Sequence, residues 1–389
     1  MKYKQTLICT ITIGLLASCG GGGSSSSTST NNNAISDPAP TSTQYVRPLA
    51  AEGDTYTFKV SHRFRYANTW DTYYRSEIYS APNAQGLQNR AIYVSGPYST
   101  HFTEVLDKDG VVANRFRLSY IQLPDIKFYN TCSYDPGMSS ARSPYFVGQQ
   151  WNVDSTMTCA TPGYRADIYK EKSTGKITAI EEITLNTGKH KTLKEVFTTA
   201  ETMFTSTGER PSVLSERTCW RDVSTGIYVK CNIRTTETFY DSPASSASLD
   251  GSPSYDDVNV ELIAYETKSK STAPAVERFA GPWDFSDTSG TGLSCMVVPQ
   301  SNLTNWRKDQ IPADGNFSMS CTLANNGTRP KPVFQGKIDA NGNVTLTTAQ
   351  NNIEMISITG KAESLIKLSG TWSSTTGRKG NWVMTRPEN

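Results

Sequence analysis

This is an all-β, antiparallel sequence. From residue 55 onward, long stretches alternate with period two, glycine-containing pairs punctuate them, and no amphipathic helix longer than two turns can be drawn. The segment TYTFKVSHRFRYA shows the pattern. Tyr56, Phe58, Val60, His62, Phe64 and Tyr66 fall on one face, and Thr57, Lys59, Ser61, Arg63 and Arg65 on the other. Aromatic and β-branched residues in strict alternation fit a half-buried pleated surface. The expected architecture is a curved antiparallel sheet or sandwich followed by a small up-and-down barrel-like domain.

The first 18 residues read as a leader. Lys2 and Lys4 precede an apolar run from Thr6 to Ala17, shorter than the roughly 20 residues that span a bilayer. A basic start, a short apolar middle and small residues at the end make a secretory signal. Leu16-Ala17-Ser18-Cys19 resembles the lipobox of bacterial lipoproteins. That resemblance implies cleavage after Ser18 and diacylglycerol on Cys19, with membrane attachment through the lipidated N-terminus. An ordinary signal peptide with a fortuitous cysteine is the alternative. Gly20 stands where an aspartate would resemble the inner-membrane retention signal, which favours the outer membrane, on either face. Residues 19–45 begin with Gly20 to Gly23 and Ser24 to Ser27. Such a composition cannot bury enough apolar surface to offset its ordering entropy, so it reads as a tether with a root-mean-square span of about 28 Å.

Charge excludes one class of partner. Removing the leader takes two lysines and no acids, leaving 36 basic and 36 acidic residues of the original 38 and 36. No net positive charge remains to hold nucleic acid. Eight cysteines are present. Cys9 leaves with the leader and Cys19 is the lipidation site. The remaining six suit disulfides in an exported chain. Their spacing favours Cys132–Cys159, Cys219–Cys231 and Cys295–Cys321. A metal site lacks both a C-x-x-C pair and a neighbouring histidine, and no cofactor is expected.

Residues 46–268 are read as the larger β domain. Strand patterns occur at 71–80, 112–122, 177–185, 226–239 and 258–267. Turns are expected at Asp109-Gly110, Thr174-Gly175, Thr187-Gly188 and Thr225-Gly226. Within this domain PYFVGQQW (144–151), EEITLNTGKHKTLK (181–194) and CWRDVSTGIYVK (219–230) occur in that order. Together they resemble β-rich lipoprotein domains of the bacterial envelope, which implies curved antiparallel sheet and brings no catalytic residue. Residues 241–257 read as an exposed loop and 269–278 as a linker.

Residues 279–389 open with FAGPWDF and close with LSGTWSSTTGRKGNWVMTR. Short strands with G-x-W starts resemble avidin-like and lipocalin-like barrels. Trp283, Trp372 and Trp382 are then candidate lining residues of a cup for an apolar or glycan ligand. The alternative is a barrel filled by its own side chains.

Catalytic constellations are absent from the linear sequence. The three histidines, His62, His101 and His190, form no metal motif, and no nucleophile elbow or phosphate loop occurs. Glu181 and Glu182 point to opposite faces of a strand and so cannot converge on one substrate. The expected function is non-enzymatic: a lipid-anchored envelope protein that presents an interaction surface. A ligand-binding barrel is the second reading, and a hydrolase built from distant residues the third.

Overall fold

A computed structural model describes residues 43–387 apart from 65–67, 96–99, 121–126, 139–140, 164–165, 206–207, 238–254, 289–291, 299–315, 324–332 and 351–353. The leader, Cys19 and most of the tether therefore lie outside the described residues, as does most of the expected 241–257 loop. The described residues form two closed antiparallel barrels, of twelve and eight strands. The first contains β1 (Thr55–Arg63), β2 (Asp71–Tyr79), β3 (Gln88–Ser95), β4 (Thr100–Leu106), β5 (Val112–Tyr120) and β6 (Lys127–Met138). It continues with β7 (Gln150–Ala160), β8 (Asp167–Leu185), β9 (Gly188–Thr205), β10 (Gly208–Asp222), β11 (Tyr228–Glu237) and β12 (Asp256–Glu266). The second contains β13 (Gly281–Asp287), β14 (Gly292–Val298), β15 (Asn316–Leu323), β16 (Val333–Ile338), β17 (Asn343–Gln350), β18 (Glu354–Ser364), β19 (Lys367–Ser374) and β20 (Lys379–Thr385). A single 3-10 turn, Val276–Phe279, stands between them.

Consecutive strands pair as hairpins, and each barrel closes by joining its ends, β1 to β12 and β13 to β20. The curvature expected of the first domain is thus carried through to closure, which pairs its first and last strands among the described residues. Its described outer wall carries many polar residues. Asn152, Asp154 and Thr156 on β7, Lys170, Lys172 and Lys176 on β8, and Asn232 and Arg234 on β11 are all exposed. Ile168 and Ile180 on β8, Val196 on β9 and Leu214 on β10 are exposed as well, so the described outer wall is mixed, with polar residues outnumbering apolar ones on β7.

One expected turn is corrected. Thr174-Gly175 lies inside β8, paired to Asn152 and Trp151 of β7. Gly175 is needed there because a Cβ would collide with the Trp151 ring and with Phe197. Gly110, Gly188 and Gly226 do occupy turns at positive φ. The Asp222–Gly226 turn sets Cys219 opposite Cys231, and the two are bonded with Cα atoms 4.1 Å apart. Cys132 and Cys159 face each other across β6 and β7 and are bonded at 4.0 Å. Register also sets Cys295 directly opposite Cys321 across β14 and β15; their side chains are outside the described ones.

The folded part starts inside the expected tether. Tyr45 exchanges two 2.8 Å backbone hydrogen bonds with Tyr145. Arg47 is buried and fills the space where Gly110 and Gly226 lack a side chain. The segment from Tyr45 onward thus covers the end of the first barrel at which β1 begins.

Candidate functional site

Eight strands close to a lumen that side chains just fill, so twelve leave more room than Val and Leu can occupy. Long side chains fill it here. Tyr73, Tyr79, Tyr134, Tyr169 and Phe197 are buried within the first barrel's core cluster, and among them runs a chain of charges. Register places Glu104 directly opposite both Arg90 and Arg115. Arg115 Nε donates to Glu104 Oε1 at 2.8 Å, Arg90 Nε to Glu104 Oε2 at 3.1 Å, and Arg90 Nη1 to Glu77 Oε2 at 3.5 Å. Arg75 pairs with Glu77 and lies 4.9 Å over the Phe58 ring. Burial alone would raise the Glu104 carboxyl, but the two guanidiniums outweigh it and hold it at about 2. For Glu171 burial wins, and its carboxyl sits above the usual range despite Arg217 and Arg115. This interior is filled with paired charges.

At the end where β1 begins, a second group converges. His190 Nδ1 and Asp222 Oδ2 are 2.8 Å apart, and His190 Nε2 is 2.8 Å from Thr187 Oγ1. A hydroxyl, an imidazole and a carboxylate in line make the outline of a nucleophile relay. Their other bonds also tie two turns together. Asp222 Oδ1 accepts from the backbone N–H groups of Ser224 and Thr225, at 2.7 and 3.0 Å. The trio thus ties the β8–β9 turn to the β10–β11 turn, with exposures of only 9%, 6% and 5% for Thr187, His190 and Asp222. Sequence reasoning missed it; the Thr-Gly-Lys-His spacing beside an aspartate-led turn was the available signal.

The opposite end of the first barrel carries a partly exposed cluster. Register sets Asp257 beside Arg63 on one side and Arg234 on the other. Both guanidiniums bind it, Arg234 through Nε at 3.0 Å. Arg63 lies 5.6 Å over the Trp70 ring and 5.5 Å over Tyr255, and Arg234 lies 3.9 Å over Tyr255. Trp70, Arg63, Tyr255 and Arg234 are thereby interleaved, aromatic and guanidinium in turn, and fixed by one carboxylate. Trp70 remains 45% exposed. This rim is separated from the start of β1 by that strand's nine residues, about 30 Å.

The three tryptophans of the second barrel are placed differently. Trp283 and Trp382 are 0% and 1% exposed in its core, where Phe285 stacks on Trp382 at 6.1 Å. Trp283 Nε1 donates to Phe279 O at 2.8 Å and Trp382 Nε1 to Thr359 O at 3.0 Å, so neither offers a free donor to a ligand. Trp372 is partly buried against that core. His62 is buried on the inward face of β1, 3.6 Å from Asp256. Glu181 receives Lys194 Nζ and the Trp220 indole N–H at 3.0 and 2.8 Å, whereas Glu182 receives Lys189.

No protein-family model matches the chain, and no curated protein matches it. A solved structure, a double mutant of the vaccine antigen transferrin binding protein B from Haemophilus parasuis, is similar at 9% identity over 86% of this chain and 75% of that one. Its TM-score is 0.15, a likeness that carries no inference about fold or function.

Proposed function

We propose that this chain is an outer-membrane lipoprotein, held through acylated Cys19 and the Gly/Ser tether, that works without catalysis by presenting the Trp70–Arg63–Tyr255–Arg234 rim to a protein partner. The rim carries the reading. Tryptophan, tyrosine and arginine dominate the binding energy of protein interfaces, above all when held rigidly. Here the shared carboxylate of Asp257 orders both arginines before any partner arrives, which reduces the entropy cost of association. The described chain enters the first barrel at its other end, about 30 Å from the rim. Partner capture from native envelopes, quantified for the unaltered protein and for Trp70→Ala and Arg63→Ala, tests this. Each variant loses about 30-fold in affinity, the effect of about 2 kcal/mol at a hot spot, while Thr198→Ala on the outer wall changes nothing. Capture that ignores both rim substitutions, or no partner under several growth conditions, overturns the proposal.

A further inference from the structure

Strands β2 to β4 are covered on both faces. Inward lies the charge chain. Outward, Tyr74, Ser76, Tyr93 and His101 are 8%, 2%, 5% and 2% exposed, because β13 and the 3-10 turn of the second barrel pack on them. A stack crosses this junction. His101 lies on Tyr93 with centroids 4.5 Å apart and planes 7° apart. The Arg386 guanidinium, from the end of the second barrel, sits 4.5 Å over Tyr93 and 4.1 Å over Trp283. Arg386 also donates to Pro282 O and Arg278 O at 3.1 and 2.8 Å, and Ser76 Oγ donates to Arg278 O at 3.2 Å.

Among the described residues, His101 has no acid within hydrogen-bonding reach to receive a proton's charge. Nε2 is 3.4 Å from Thr103 Oγ1, and Nδ1 is buried without a hydrogen-bond partner. Among the described residues, the charged groups brought to the junction are Glu277 and Arg278 of the 3-10 turn, Asp284 and Asp287 of β13, and Arg386, beside the phenols of Tyr74 and Tyr93. Arg278 is occupied by Glu266 and Glu277 acts on Tyr74, while Arg386 is the charge that bears on His101. We propose that the junction is a proton-operated latch: the barrels dock with His101 neutral, and its protonation releases the second barrel from the first.

Burial first, and the Arg386 charge second, hold the docked imidazole down at about 3, against 6.5 when it is exposed. Undocking therefore takes up a proton, and acid favours the undocked state in the window between those two values. From pH 7.5 to pH 5.0 the undocked-to-docked ratio rises about 30-fold, the ratio of (1 + 10^1.5) to (1 + 10^−1) for a group titrating at 6.5. A cysteine at Ser76, at the centre of the junction, reads this out. In the full chain, thiol labelling of Ser76→Cys is measured relative to an exposed Thr198→Cys control, which cancels the reagent's own pH dependence. The relative rate rises about 30-fold on acidification to pH 5.0 and becomes flat when His101→Phe or His101→Gln is added. A flat profile in the single variant, or an equal rise with His101 replaced, overturns the latch.

Discussion

Replacing Glu104 with glutamine keeps the shape of the first barrel's interior and removes one charge. Two guanidiniums, Arg90 and Arg115, then share a buried space without the carboxylate that faces both. Leaving buried charge uncompensated costs about 3–5 kcal/mol. A second estimate comes from the titration of the same group. Its carboxyl is held at about 2, against 4.5 in a flexible chain, and that difference corresponds to about 3 kcal/mol of folding stability. Because the folded value is the lower one, this contribution is complete above about pH 4.5 and is lost as pH falls toward 2. Urea unfolding at pH 7.5 by far-ultraviolet circular dichroism measures the first figure, and its repetition between pH 5 and pH 3 measures the second. Glu104→Gln is expected to unfold about 3 kcal/mol earlier at pH 7.5 and to lose part of the native acid sensitivity. Adding Arg115→Met restores part of the loss, because it removes one of the stranded cations. A cost under about 1 kcal/mol, or unchanged acid sensitivity, refutes a load-sharing interior.

Removing the Cys219–Cys231 bond by paired serine substitutions frees a loop with a sequence separation of 12. About 3 kcal/mol of stability is expected to go with it on the loop-entropy account, read as an earlier urea midpoint with the strands otherwise intact. His190→Phe breaks the staple between two turns and is expected to cost about 1–3 kcal/mol. Neither the native protein nor this variant is expected to hydrolyse nitrophenyl esters or take up a fluorophosphonate. Labelling of Thr187 that vanishes in His190→Phe would make the trio a catalytic site.

What the sequence disclosed depended on how local the relevant pairing is. β1 and β12 show clean alternation because most of their inward residues are apolar, as in Phe58, Val60, Val258, Val260 and Leu262. The two bonded cysteine pairs each span neighbouring strands, so short spacing sufficed to match them. β2 matches the strand expected at 71–80, but which of its faces turns inward was not legible, since Tyr73, Arg75, Glu77 and Tyr79 point inward while Tyr74 faces the second barrel. Charged residues inside a wide lumen invert the hydrophobic-in, polar-out rule on which periodicity rests. Gly175 looked like a turn because a glycine required by a neighbouring tryptophan carries the same letter as one required by positive φ. The rim was not legible at all. Arg63, Trp70, Arg234 and Tyr255 come from four strand ends, and only the long-range β1–β12 closure brings them together.

The most direct test concerns the anchor, on which the envelope location rests. Mass spectrometry of the amino-terminal peptide from natively purified protein is expected to find Cys19 as the first residue, carrying thioether-linked diacylglycerol. An unmodified terminus that retains residues before Cys19 would contradict the account.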